Sequence, residues 1–215
     1  MDSKKESLVV LSEEYFIGEG SQRRCYIYPD NERLCVKILM DHASMQILKR
    51  DLEYNRKLMK KGFFSDALPR YYGEIKTNKG IGYVFDLIRD YDNKPSKSMI
   101  YYLFCDEIVK ERFSELVNGF KMLQKTMYND AVVSTALNRG NILYQKNEDG
   151  SGRLVLIDDL GTSVLIPFEY YFLFVARMKV KKRWKVFFAQ LKRFYADRPL
   201  VLKLIEESAV FFNKK

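Results

Sequence analysis

One asparagine and a pair of aspartates form the group of residues whose spacing points most clearly to chemistry. Asn141 stands directly before the apolar residues Ile142 and Leu143. A second apolar run ends at the pair Asp158 and Asp159, and Asp158 lies seventeen residues after Asn141. A segment rich in Asn, Gly and Ser separates the two runs, which is typical of a hairpin. Such a hairpin would bring an amide oxygen close to a carboxylate, and both are ligands that Mg²⁺ prefers. The pattern predicts a magnesium site formed by Asn141 and this acidic pair.

Two glycines near the beginning of the chain, Gly18 and Gly20, could contact phosphate groups. A strand-like run follows them rather than a helix, so they do not fit the dinucleotide-binding fingerprint. They fit a hairpin that covers a nucleotide, because a glycine has no Cβ to keep phosphate oxygens away from the backbone amides. An ordinary turn is the competing interpretation.

Lys37 is the candidate cation for those phosphates. It lies between Val36 and Ile38 in a strand-like run, so its side chain points to the opposite face of the sheet from theirs. It is either an exposed strand lysine or a buried ammonium group, and a buried ammonium group needs a carboxylate partner.

The helix that follows this strand offers two such carboxylates, Asp51 and Glu53. Residues two positions apart on a helix do not share a face, so both cannot point inward. We prefer Asp51, because it shares its side of the helix with Leu48, Leu52 and Asn55.

The elements that must position these residues change in type near residue 88. Five strand-like runs and one helix, 44–61, occupy the first part of the chain. The strands are predicted at 8–17, 25–28, 34–39, 71–75 and 81–88. The polar stretch 89–97 is predicted to be a linker, and a helix over 113–127, the hairpin and a helical region over 167–215 follow it. The sequence therefore predicts an α+β fold in two domains, 1–88 and 89–215.

Composition excludes several classes of protein. The chain has 215 residues, 47% of them hydrophobic, and 37 Lys+Arg against 28 Asp+Glu give it a net charge of +9. It has no apolar run long enough to span a membrane and no signal-peptide pattern, so we expect a cytoplasmic protein. Three scattered cysteines and a single histidine, His42, argue against a disulfide framework, a zinc site and histidine-dependent nucleophilic catalysis.

The positive charge is concentrated in the segment 177–198, which contains nine Lys or Arg and one acid. Aromatic residues are interleaved with the basic ones: Trp184, Phe187, Phe188, Phe194 and Tyr195. The segment is either an amphipathic helix whose aromatic side chains belong to the core, which we prefer, or a surface that binds a nucleic acid or an anionic membrane.

The order of these features (glycine loop, lysine, acidic helix, asparagine, aspartate) is that of protein kinases. More narrowly, several segments resemble the YrbL family, a bacterial kinase-like group named for its place in the PhoP regulatory network. The segments that carry the resemblance are 18–26, 69–73, 82–86, 141–143, 158–161 and 165–167. The resemblance implies a bilobal protein-kinase-like fold, with a small antiparallel-sheet lobe containing one helix and a mainly helical second lobe.

The resemblance also implies that the protein binds ATP and Mg²⁺. Gly18, Gly20 and Ser21 would cover the phosphates, Lys37 would contact them, and Asp51 would orient Lys37. Asn141 would hold the metal together with Asp158, because the family motif has the metal-binding aspartate three residues before its glycine. An ungapped comparison with the Asp-Phe-Gly motif of kinases selects Asp159 instead; we prefer Asp158 and keep Asp159 as the alternative.

One departure from the kinase pattern affects catalysis. Five positions before Asn141, where active kinases have the aspartate that accepts the proton of the substrate hydroxyl, the chain has Ala136. Losing a general base costs roughly 100- to 10,000-fold in rate. After Gly161 the chain runs directly into the short segment 162–167, which leaves no room for a long activation segment. The sequence is compatible with a slow phosphotransferase on a non-protein acceptor, with a pseudokinase, or with a regulator that holds no nucleotide.

Overall fold

The structure, a computed structural model, describes residues 8–162 and 171–212. The chain divides into two compact units. The first contains the chain up to Phe64 and the segment Pro69–Ile88, and the second contains the short segment Ser65–Leu68 and the chain from Arg89 onward. The mixture of helices and antiparallel sheet confirms the α+β class that the sequence predicts.

A five-stranded antiparallel sheet and one long helix form the first unit. The strands are β1 Phe16–Glu19, β2 Arg23–Tyr28, β3 Asn31–Leu39, β4 Tyr71–Thr77 and β5 Gly80–Asp86, and the helix is α1 Met45–Lys60. The strand order is β1-β2-β3-β5-β4. The hairpin between β4 and β5 turns at Gly80, whose φ of +101° lies in the left-handed region that favours glycine.

The two faces of this sheet bury different clusters, because neighbouring residues on a strand point to opposite sides. Cys35 of β3 packs in one cluster with Leu52 of α1 and Phe85 of β5. Val36 and Ile38 of β3 belong to the other cluster. Lys37 alternates with Val36 and Ile38 and therefore lies on the face that carries Cys35.

The predicted strand over residues 8–17 is wrong in its extent. Val9 forms an isolated parallel bridge with Thr77 at the end of β4, and Glu13–Tyr15 form a 3₁₀ turn before β1 begins. The amide of Val9 donates to the carbonyl of Lys76 at 3.0 Å, so this segment lies along the edge of the sheet. Three consecutive polar residues, 12–14, interrupt the apolar run and allow the chain to turn.

A small sheet and several helices form the second unit. Its strands, in the order β6-β7-β8, are β6 Lys97–Ser98, β7 Ile142–Lys146 and β8 Gly152–Leu156. Its helices are α2 Met99–Tyr102, α3 Asp106–Glu111, α4 Phe113–Asn129, α5 Leu173–Phe194 and α6 Pro199–Ser208, and a 3₁₀ turn follows at Ala209–Phe212. Residues 163–170, which include the predicted motif 165–167, lie outside the described part of the chain.

The stretch 89–97, predicted to be a linker, is an ordered part of the second unit. Asp90 is 5% exposed, and its carboxylate accepts bonds from the Ser96 hydroxyl at 2.6 Å and the Lys146 amide at 3.0 Å. The Lys146 ammonium group lies 3.0 Å from the same carboxylate. A polar composition therefore reflects a buried hydrogen-bonded network here, and not a flexible connection.

Helices α4 and α5 carry the core of the second unit. Phe120 of α4 packs edge-on against Trp184 and Phe188 of α5, with ring centroids 6.3 and 5.8 Å apart. Trp184, Phe187 and Phe188 are buried, whereas Lys181, Lys182 and Lys185 are exposed. The structure thus supports the amphipathic-helix interpretation of the basic segment for Trp184, Phe187, Phe188 and Tyr195, whereas Phe194 is exposed. Within the described residues, no helix combines the length and apolar character needed to cross a bilayer.

Candidate functional site

Neither the backbone conformation of the β1–β2 hairpin nor packing inside the protein requires glycine at positions 18 and 20. Neither Gly18 nor Gly20 has a positive φ, and a Cβ added to either would meet nothing within 4 Å. Gly18 lies opposite Cys25, and the amide of Gly20 donates to the carbonyl of Arg23 at 2.9 Å. The hairpin therefore leaves space beside its backbone that a ligand could occupy. Ser21, which follows Gly20, is exposed, and its carbonyl contacts the His42 ring and accepts the side-chain amide of Gln22, each at 3.0 Å.

Lys37 is a buried cation on the helix-facing side of the sheet. It is 5% exposed and lies opposite Cys25 of β2 and Tyr83 of β5. Its ammonium nitrogen lies 4.8 Å from the centre of the Phe85 ring, a distance typical of a cation–π contact. The alternative of an exposed strand lysine does not apply.

Asp51 is the buried carboxylate of α1. It is 2% exposed, whereas Glu53 is exposed, which agrees with the preference for Asp51. The side-chain amide of Asn55 donates to the Asp51 carbonyl at 2.8 Å and lies 3.4 Å from its carboxylate. The helix thus presents this one carboxylate to the face of the sheet that carries Lys37.

The structure adds a partner that the sequence analysis missed. Nη2 of Arg23, from β2, lies 2.6 Å from Oδ2 of Asp51, and the two side chains are 11% and 3% exposed. Arg23 precedes Cys25 by two residues on the same strand and so points to the face that carries Lys37. The alternation of side chains along β2 was the sequence signal that could have placed Arg23 on this face. It does not predict the contact with Asp51, because that contact depends on how the strands pair. The pairing of Lys37 with Asp51 stays a prediction.

A neutral tyrosine lies beside these cations. Burial raises the pKa of Tyr83, the neighbour of Lys37 on β5, and the carboxylate of Glu74 raises it further. The positive charges of Arg56 and Arg23 oppose this shift. The Tyr83 hydroxyl therefore keeps its proton at neutral pH, and the charge on this face comes from the basic and acidic side chains.

In the second unit, Asn141 and Asp159 are in direct contact. Asn141 precedes β7 and follows a turn in which its amide donates to the carbonyl of Asn138 at 3.0 Å. Its side-chain amide donates to Oδ2 of Asp159 at 2.7 Å. The carbonyl of Asn141 accepts the amide of Ile157 at 2.9 Å, which extends the β7–β8 pairing to this point. The hairpin thus brings the side chain of Asn141 and a carboxylate together, with the amide nitrogen of Asn141 as the contacting atom.

The turn that carries Asp159 is fastened to a neighbouring segment. Asp159 has a φ of +64°, which aspartate tolerates better than most residues. Its carbonyl accepts the amide of Thr135 at 2.8 Å and the hydroxyl of Ser134 at 2.8 Å. The amide of Gly161 donates to the carbonyl of Val133 at 2.8 Å. Segment 133–135 therefore fixes the backbone of the turn that carries Asp159, a role that the sequence did not reveal.

This geometry bears on the choice between the two aspartates. The carboxylate of Asp159 contacts Asn141, and Asp158 is half-buried beside it. The contact favours Asp159, the alternative to our preferred Asp158. The metal-binding role of either residue stays a prediction.

Ala136 lies close to this turn and is exposed. Its carbonyl accepts the Ser134 hydroxyl at 2.8 Å, the same hydroxyl that contacts Asp159. The position where the kinase pattern has its aspartate is therefore part of the same hydrogen-bonded segment and carries only a methyl group.

The donor set limits what could bind a cation here. No cluster of three His, Cys, Asp or Glu side chains suited to a metal occurs within the described residues. Asn141 and Asp159 supply an amide and a carboxylate, and Mg²⁺ takes six oxygen ligands, often including substrate phosphates and water. The residues fit a Mg²⁺ ion that arrives with a phosphate ligand.

These features define an α+β protein with an antiparallel five-stranded sheet in one unit and an Asn–Asp pair at the end of a hairpin in the other. The chain belongs to the YrbL family, since the family described as PhoP regulatory network protein YrbL matches residues 9–192. A relative named Uncharacterized protein YrbL, from Escherichia coli (strain K12), is 30% identical over 187 residues, which cover 85% of this chain and 88% of the relative. A protein of the same name from Shigella flexneri matches to the same extent. The family membership that the sequence suggests is confirmed.

Proposed function

We propose that this protein has a kinase-like fold, binds Mg-ATP and transfers phosphate to a non-protein acceptor in the cytoplasm. The observation that carries the proposal is the 2.7 Å contact between Asn141 and Asp159, because it places two oxygen-bearing side chains together at the end of a hairpin. The family membership and the kinase-like order of motifs support it.

The first unit would bind the phosphates. The hairpin at Gly18 and Gly20 offers backbone amides without a Cβ to obstruct them. Lys37 and Arg23 place two buried positive charges on one face of the sheet, where Asp51 orients at least Arg23. Buried cations attract phosphate strongly, because the protein interior screens charge less than water does.

The second unit would bind the metal. Mg²⁺ would neutralise charge on the phosphates, and Asn141 and Asp159 would hold the ion in place. Because the protein supplies few ligands, metal and nucleotide should bind together and each should be weak alone. Asp158 would lie outside the immediate ligand set and serves as the matched control for Asp159.

Thermal unfolding with Mg-ATP, and with ATP plus a chelator, tests this proposal. A ligand that binds only the folded state stabilises it by RT ln(1 + [L]/Kd), which is about 2.7 kcal/mol at one hundred times Kd. We expect a clear shift with Mg-ATP and a much smaller one with the chelator. Asp159→Asn should remove the metal-dependent part and Asp158→Asn should retain it; the opposite result would assign the metal to Asp158. Equal shifts in the two conditions would contradict the metal site.

Turnover distinguishes a slow enzyme from a pseudokinase. Positioning and charge neutralisation supply most of the acceleration of phosphoryl transfer, so slow ADP release can persist without a general base. We expect Ala136→Asp to raise ADP release and Lys37→Ala or Asn141→Ala to abolish it. Wild-type release no faster than that of Lys37→Ala would favour the pseudokinase alternative.

A second candidate function rests on the exposed basic residues of α5. Lys181, Lys182, Lys185, Lys192 and Arg193 are all exposed. Such a surface could bind a nucleic acid or an anionic membrane by releasing counterions, and binding would then weaken steeply with salt. Binding of duplex DNA or phosphatidylserine vesicles that does not change between low and high salt would exclude this function.

A further inference from the structure

The exposed side of α5 is apolar at its beginning and mainly basic along the rest of its length. Residues three or four positions apart on a helix share a face, and six residues of α5 at such spacings are all exposed. This set, which we call the α5 stripe, consists of Phe174, Met178, Lys181, Lys185, Ala189 and Lys192. At 1.5 Å per residue the stripe is about 27 Å long. It is therefore long enough to contact an extended surface.

The apolar end of the stripe belongs to a larger group of exposed hydrophobic side chains. Five large residues at the beginning of α5 are between 56% and 76% exposed. They are Tyr171, Phe172, Leu173, Phe174 and Met178. Single exposed hydrophobic residues are normal in proteins, whereas a contiguous group of them is typical of an interaction site.

The basic part of the stripe lies on a helix that has no acidic residue. The range Leu173–Phe194 contains eight Lys or Arg and neither Asp nor Glu. An acidic group does reach the far end of the stripe, because Lys192 contacts the carboxylate of Glu206, on α6, at 3.0 Å. The two central lysines, Lys181 and Lys185, lie between that ion pair and the apolar end. The charge of this side of the helix thus matches an anionic partner.

The combination of apolar and basic residues fits an anionic membrane better than a nucleic acid. Lysines match the phosphates of either partner, and nucleic-acid bases can stack on aromatic rings. Bases offer no comparable partner to Leu173 and Met178. A membrane offers phosphates at its surface and acyl chains just below them, and interfacial helices bury apolar side chains about 5–10 Å deep while their lysines stay at the headgroups.

We propose that α5 binds the surface of an anionic membrane through the α5 stripe. Phe174 and Met178 enter the boundary between headgroups and acyl chains, together with Leu173. Lys181 and Lys185 face the lipid phosphates, and the helix lies along the membrane because its basic residues continue after its apolar end. This proposal rests on the second candidate function, the binding of an anionic partner by α5, and names that partner. It does not depend on nucleotide binding.

Co-sedimentation with vesicles tests the basic part of the stripe. We expect the full-length protein to bind vesicles of equal parts phosphatidylserine and phosphatidylcholine, and to bind phosphatidylcholine alone much more weakly. Lys181→Gln combined with Lys185→Gln should weaken binding about 30-fold, from the usual contribution of a lysine near an anionic membrane. Lys97→Gln combined with Lys110→Gln removes the same charge from exposed positions outside α5 and should change binding little.

A second pair of variants tests the apolar end. Phe174→Gln combined with Met178→Gln should weaken vesicle binding about tenfold or more, because two hydrophobic side chains lose their burial in the bilayer. Phe104→Gln is the matched control, since Phe104 is 78% exposed and lies outside α5. Phe174→Trp adds a reporter whose emission should shift to the blue on vesicles and be quenched by brominated lipids. Trp184, the only native tryptophan, is fully buried, and its emission verifies that each variant is folded.

The outcomes separate the membrane from a nucleic acid. Salt-sensitive binding of duplex or single-stranded DNA that needs Lys181 and Lys185 but not Phe174 and Met178, with no vesicle binding, would retain the second candidate function and overturn the membrane assignment. Binding to neither vesicles nor DNA would overturn both. Equal loss of vesicle binding in the control variants would also overturn the assignment to the α5 stripe.

Discussion

The buried ion pair between Arg23 and Asp51 makes the stability of the first unit depend on one carboxylate. In Asp51→Asn the side chain keeps its size and can still accept a hydrogen bond, but the negative charge is lost. Arg23, which is 11% exposed at its side chain, and Lys37, which is 5% exposed, would then remain as buried cations. Removing one partner of a buried pair leaves an uncompensated charge, which is far costlier than losing a surface pair.

The size of the effect follows from this burial. Breaking a buried pair costs about 3–5 kcal/mol, and the retained hydrogen bond places Asp51→Asn near the lower end of that range. For a chain of this length such a loss lowers the melting temperature by roughly 6–12 °C. The exposed pair between Arg56 and Glu74 gives the matched control. Glu74→Gln should cost less than about 1 kcal/mol, because solvent screens that pair.

Urea unfolding followed by circular dichroism measures both variants, and a double variant makes the test sharper. Arg23→Met with Asp51→Leu replaces the pair by apolar groups, which is often neutral or stabilising. If Lys37 also depends on Asp51, the double variant should stay clearly less stable than the wild type. Full recovery would refute the predicted pairing of Lys37 with Asp51. A cost for Asp51→Asn no larger than that for Glu74→Gln would refute the importance of the buried pair itself.

Two further predictions concern packing and pH. Gly82→Ala should destabilise the protein by about 1–3 kcal/mol, because its Cβ would lie 2.4 Å from Cγ1 of Val36. Gly20→Ala, which meets open space, should be nearly neutral in the same urea unfolding experiment. Burial, with a smaller contribution from a nearby glutamate, raises the pKa of Tyr144 from 10.0 to about 12. The unfolded state therefore releases this proton at a lower pH than the folded state does. The free energy of unfolding should fall as the pH rises from about 10 to about 12. Tyr144→Phe should reduce that alkaline loss and the exposed Tyr91→Phe should not; equal alkaline slopes for both variants would contradict this.

The long, periodic elements of this fold could be predicted from the sequence. Helix α1 was expected at 44–61 and spans Met45–Lys60, and the apolar spacing after residue 112 anticipated α4. The hairpin between β4 and β5 was marked by Gly80, whose backbone conformation few other residues adopt readily. The short helices α2 and α3 were missed, since they have too few turns for a periodic pattern to appear. Their positions depend on tertiary contacts.

The candidate site was predictable as a set of residues and not as a set of contacts. Lys37 and Asp51 were identified from alternation and helical position, and both are buried. Arg23 was missed because its contact with Asp51 joins residues 28 positions apart, on elements whose relative placement the sequence does not state. The order of Asp158 and Asp159 in the sequence gives no direction to either side chain; the left-handed backbone at Asp159 turns its carboxylate toward Asn141.

The segment at residues 8–11 also matters for how this protein can be engineered. β4 is an outer strand of its sheet, and Val9 and Leu11 cover one end of it through main-chain bonds and the side chain of Asn78. Open strand edges are templates for pairing with another chain, and hence for aggregation. A shortened version that starts after Leu11 would expose that end of β4 and should self-associate more readily. Fusion partners and tags are therefore best attached well before Val9.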